Sequence, residues 1–119
     1  MSLLVHTFTR GPDGAMNFVE PAEQWQELAG FEDYRWKVYS SLTAKSIGMH
    51  ILPTLVSSDI YVEGKDVVLL LAETELALAN IDAFATEAQT TPKSLRPGLQ
   101  NIVNACHQAS KIGGGVVIW

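Results

Sequence analysis

Four side chains in this sequence could attack a substrate, move a proton at neutral pH or ligate a soft metal: His6, His50, Cys106 and His107. Cys106 and His107 are neighbours in a stretch of helical periodicity, so their side chains diverge by about 100° and cannot act as a nucleophile–base pair. Cys106 falls on the apolar stripe and is expected to be buried and inert. His107 then points outward beside Asn104 and Lys111 as a solvated residue. His6 shares a strand face with Leu4 and Phe8, the setting of a partly buried histidine held by one hydrogen bond. His50, in "GMHILP", lies in a non-helical connection. Loops carry function more often than cores do, which puts His50 first among the histidines.

Other chemistries lack their residues. A zinc site needs about four nitrogen or sulfur ligands, often in CxxC or HxxxH pairs, and neither spacing occurs. Asp59, Glu63 and Asp66 do not follow the register of a calcium loop. Glu73 and Glu75 are two apart on a helix, so they do not face each other as an acid–base pair and read as solvated charges beside an apolar stripe. There is no G-x-S-x-G elbow. The glycines of "KIGGGVVIW" follow a helix, whereas phosphate-binding glycines precede one and use its positive end. Gly113–Gly115 therefore read as a helix stop and a tight turn. No catalytic residue, metal or cofactor is expected, and the balance leans away from an enzyme.

The composition narrows the partners. The chain has 119 residues, 47% of them hydrophobic, which is one globular domain over residues 1–119 with ample core. Its net charge is −5, from 13 acids and 8 scattered bases. Nucleic acid and anionic membrane surfaces both need a basic footprint, so neither is an expected partner. A basic protein is compatible with this charge. The single cysteine and the lack of a signal-like N-terminus predict a cytoplasmic protein. No apolar run reaches the length of a membrane span.

One constellation remains. "EPAEQWQELAGFEDYRWKVY" sets Trp25, Phe31, Tyr34, Trp36 and Tyr39 among Glu20, Glu23, Glu27, Glu32 and Asp33. As a helical pair, the aromatics would pack inward and the acids would face solvent. Exposed, they would anchor a protein interface and steer a basic partner to it. The candidate binding residues are Trp25, Glu27, Phe31, Glu32, Asp33, Tyr34, Trp36 and His50.

The elements that must position them follow from the pattern. Residues 3–19 read as a β-hairpin around "RGPDGA". A helix starts at Pro21 and stops at Gly30. "FEDYRWKVYSSL" favours a helix through the spacing of Phe31, Tyr34, Val38 and Leu42, and a shorter helical piece ends at Gly48. Pro53 excludes a continuous helix through "MHILPTL". "DIYVEG" is an extended link. Residues 65–88 form one helix with Val67, Leu70, Leu71, Thr74, Leu78, Ile81, Phe84 and Ala85 on its inner stripe. Leu69 and Leu76 lie off that stripe, so the helix is either covered on two sides, the expected case, or carries a self-association surface. Ser94 caps a last helix with Pro97 in its first turn. "VVIW" is a strand added to the hairpin, central and covered on both faces. The fold class is α+β: a small antiparallel sheet, from the N-terminal hairpin and the C-terminal strand, packed with three to four helices.

The succession "ELAGFEDYR", "SIG", "LPTLVSSDIYVEG", a long leucine-rich helix and a terminal "GGGVVIW" resembles small bacterial proteins of uncharacterised function. That resemblance implies a bacterial, cytosolic protein and attaches no chemistry. The reading is of an acidic, non-enzymatic protein-interaction module, immunity- or inhibitor-like or self-associating, with a protein partner or a second copy of itself. The alternative is a small-molecule-binding protein or small enzyme with a pocket near Tyr34, Trp36 and His50.

Overall fold

A computed structural model describes residues 2–119. The chain is α+β. Strand β1 (Ser2–Arg10) is the centre of the sheet, flanked at its two ends by β2 (Met16–Phe18) and β3 (Leu28–Phe31). Along its other edge runs β5 (Gly115–Ile118), and β4 (Ile60–Glu63) closes the order β2-β1-β5-β4. All pairings are antiparallel. Helix α1 (Tyr34–Lys37) is a single turn and α2 (Leu42–Ser46) is little longer. The large helices are α3 (Lys65–Ala79), α4 (Ile81–Ala88) and α5 (Pro92–Ile112).

The register sorts the sheet into two faces. Leu3, Val5, Thr7, Ile60, Val62, Val116 and Ile118 share one face and are buried against the helices with Leu70, Phe84, Leu99 and Ile102. The Thr7 hydroxyl donates to the Ala105 carbonyl of α5 at 3.0 Å, which ties this face to its main helix. The opposite face carries His6, Phe8, Tyr61, Val117 and Trp119; Phe8 and Val117 are buried, His6 and Trp119 are partly buried, and Phe18 and Tyr61 are half exposed.

β5 is buried along its whole length, so the wholly apolar C-terminal run is the inner strand that its composition predicts. The glycines before it serve the turn. Gly113 caps α5 at φ 68°, and a Cβ on Gly114 would strike the Phe8 carbonyl.

The chain departs from the local pattern in five places. The helix expected from Pro21 to Gly30 is instead a 3-10 turn (Gln24–Glu27) running into β3, because the first residues of β1 need a partner and Leu3 pairs Gly30. The helix expected over 31–42 survives only as α1. Val38 and Tyr39 must both enter the core, and the Tyr39 hydroxyl donates to the Ala29 carbonyl at 2.6 Å. The link "DIYVEG" is strand β4. The helix expected over 65–88 is two, broken at Asn80, whose side-chain amide donates to the Leu76 carbonyl. Finally, α5 starts at Pro92 under a Thr91 cap, so Pro97 lies inside the helix rather than in its first turn.

Two carboxylates act as caps supplied from another helix. Glu73 accepts the backbone N–H groups of His50, Ile51 and Leu52 at 2.7–2.9 Å, so it is a structural acceptor and not a solvated charge. Glu87 of α4 accepts from the backbone of Leu42 and Thr43 and from the Thr43 hydroxyl, which clamps α2 to α4. The Thr43 hydroxyl bond, with the backbone donors adding, holds the Glu87 carboxyl below the usual 4.5. A carboxylate with a depressed native pKa stabilises the fold above its unfolded pKa and loses that contribution as pH falls through the native one. The stability advantage of wild type over Glu87→Gln, measured by urea titration, is therefore expected to be full at neutral pH and to vanish as pH drops below 4.5. An advantage independent of pH would show that the carboxylate charge is not what Thr43 and Leu42 recognise.

Candidate functional site

The candidate residues of the aromatic–acidic stretch do not form one site. Five of them do converge: Phe31, Glu32, Asp33, Tyr34 and Trp36, with Lys37, Ala88 and Thr90, line a groove of about 530 Å³. Phe31 ends β3, and the α1 turn brings Tyr34 and Trp36 beside it. The Phe31 and Tyr34 rings meet edge to face with centroids 5.6 Å apart, and Tyr34 leans in turn on the buried Tyr39. Phe31 is 62% and Trp36 54% exposed. The inward-packing arrangement thus holds for Tyr39 alone and in part for Tyr34, while the two flanking aromatics face solvent.

The groove's acids are already paired. Arg35 donates to Glu32 and to Asp59, and a further guanidinium nitrogen reaches the Leu55 carbonyl at 3.0 Å. This one side chain ties α1 to the segment before β4. Asp33 pairs with Lys37 at 2.9 Å. Burial, then the charge of Asp33, raises the Tyr34 phenol, so it remains a neutral hydroxyl. The groove offers apolar ring surface and nearly balanced charge, with no nucleophile beside a base. Such a surface can seat an apolar or aromatic side chain.

Trp25 lies elsewhere. It is 56% exposed beside Lys93, Arg96, Pro97 and Gln100, so cations of α5 surround it instead of acids. Asn101, itself buried, fixes this stretch by donating to the Trp25 and Leu28 carbonyls at 2.9 and 2.8 Å. His50 is exposed, and the groove of Tyr34 and Trp36 does not include it.

Glu27 belongs to a third cluster. Its carboxylate meets His6 Nε2 at 2.9 Å, and the Trp119 indole N–H donates to His6 Nδ1 at 3.0 Å. An indole nitrogen only donates, so Nδ1 is the acceptor and Nε2 carries the hydrogen toward Glu27. Both ring nitrogens are committed, and His6 has no free lone pair for a base. Phe18 completes the cluster, with its ring centroid 5.7 Å from His6 and 5.1 Å from Trp119. His6 also borders a groove of about 540 Å³ whose rim includes Glu20, Gln26, Asn104, His107 and Lys111. The His6–Trp119 contact spans 113 residues of sequence and depends on the β1–β5 register, so no local pattern announces it.

Cys106 is fully buried, and burial, with the charge of Glu75 adding, pushes its thiol up to about 12. Among the described residues no three His, Cys, Asp or Glu side chains converge to hold a metal ion, and no helix is long and apolar enough to cross a membrane. Comparison with protein-family models, with curated proteins and with solved structures finds no match.

Proposed function

We propose that this chain is a non-enzymatic protein-interaction module, bacterial and cytoplasmic, that docks a protein partner on the groove of Phe31, Tyr34 and Trp36. The observation that carries this reading is the exposure of Phe31 and Trp36 on one groove held rigid by Arg35. Aromatics with few side-chain rotamers, placed on a fixed wall, are the usual anchors of interfaces. The pairing of Glu32 and Asp33 within the chain assigns the short-range contact to apolar surface. The net charge of −5 supports long-range steering of a basic partner toward it.

A photo-reactive phenylalanine analogue at position 36, irradiated in lysate of the source organism, tests this. The expected result is one saturable protein adduct, absent when the label sits at Asp13 and reduced at least about tenfold by Phe31→Ala. Raising the salt from low to moderate slows its formation, because steering is screened over about 8–10 Å. The same adduct pattern from positions 36 and 13 would sink the proposal.

A further inference from the structure

Helix α3 has a second apolar face that the described residues leave partly exposed. Val67, Leu70, Thr74 and Ala77 are buried. On the other side Leu69, Ala72, Leu76 and Ala79 are exposed, Leu69 by 54% and Leu76 by 39%. Burial of Leu69 and Leu76 within the monomer, the expectation from sequence, does not occur. A solvent-facing helix surface ordinarily carries charge. Here the exposed residues recur at spacings of three, four and three, which is the a/d seam of a coiled coil.

The order of sizes along the seam identifies its occupant. A two-fold axis at the level of Thr74 sets an antiparallel copy of α3 against the first. Leu69 then faces Ala79 of the second copy, and Ala72 faces Leu76 of the second copy. Every layer joins one large and one small side chain, so the surface is complementary to itself, as an isologous interface requires. Parallel pairing would instead set alanine against alanine and leave holes. We propose that α3 is a dimer seam, with a second copy of this chain packed antiparallel on Leu69, Ala72, Leu76 and Ala79. The seam does not involve the Phe31–Trp36 groove, so either reading can fail alone.

The seam is short. The fifteen residues of α3 span about 22 Å, so the interface falls at the small end of specific contacts and the dimer is weak. Glu75 flanks the seam, and the two-fold axis brings it near its own copy. Salt therefore strengthens this dimer, the opposite of its effect on a partner steered by charge.

Sedimentation equilibrium from about 10 µM to about 1 mM tests the proposal. The expected result is a reversible monomer–dimer equilibrium that tightens with salt. Ala72→Leu adds apolar surface yet is expected to weaken the dimer about tenfold or more, because leucine then meets leucine. The double variant Ala72→Leu/Leu76→Ala restores the large–small layer and association to within about threefold of wild type. These positions are exposed and both residues favour helix, so circular dichroism is expected to be unchanged. A monomer at every concentration, tighter association of Ala72→Leu, or a double variant as weak as the single would each overturn the seam.

Discussion

Gly98→Val is expected to cost about 3 kcal/mol and to lower the melting temperature by roughly 10 °C. Gly98 lies where α5 crosses β3. A Cβ built there meets the carbonyl carbon and oxygen of Ala29 at 2.8 Å, and these atoms belong to backbone that cannot rotate away. In an ordinary helix interior, replacing glycine by alanine stabilises by about 1 kcal/mol, so the sign of the effect separates close approach from helix propensity. Valine adds branching that presses further into β3. The damage should reach the groove, because Ala29 also accepts the Tyr39 hydroxyl and Phe31 ends the same strand. Thermal unfolding followed by far-UV dichroism, with tryptophan fluorescence as a second probe, checks both points. A variant as stable as wild type would mean that α5 and β3 do not touch as described.

Phe84→Ala is expected to be the most damaging single truncation, at about 3–5 kcal/mol and roughly 10–20 °C. Phe84 is the largest side chain that α4 places in the core and is 1% exposed. Its removal opens a cavity in the core where α4 packs on α5, and the surrounding helices can collapse only in part. The same change at an exposed aromatic, Trp36→Ala, should shift the melting temperature by no more than about 2 °C while weakening capture of a partner. That contrast tests whether the aromatics divide into core and interface as their burial indicates. Equal losses at the two positions would place Trp36 in the structural core.

The elements legible in the sequence are those whose stability is local or nearly so. The hairpin turn of "RGPDGA", the α5 stripe of Leu95, Leu99, Ile102 and Cys106, and the apolar strand β5 each follow from spacing and turn chemistry. The spacing also lacks CxxC and HxxxH pairs, glycines placed before a helix to bind phosphate, and a G-x-S-x-G elbow.

The tertiary structure decided what depends on distant partners. Residues 21–31 have helical signals, yet the unpaired edge of β1 draws residues 28–31 into a strand that Asn101 and Gly98 lock from α5. β3 takes its backbone bonds from β1, a partner that the helical signals of its own residues do not reveal. Likewise, "DIYVEG" becomes β4 because β5 has a free edge. The aromatic–acidic stretch separates for the same reason. His6 claims Glu27, Arg35 neutralises Glu32, and α5 surrounds Trp25 with Lys93 and Arg96. Periodicity identifies a helix face as apolar, but whether that face is buried depends on the number of neighbours the fold supplies. For α3 it supplies cover on one side, and Leu69 and Leu76 remain in solvent.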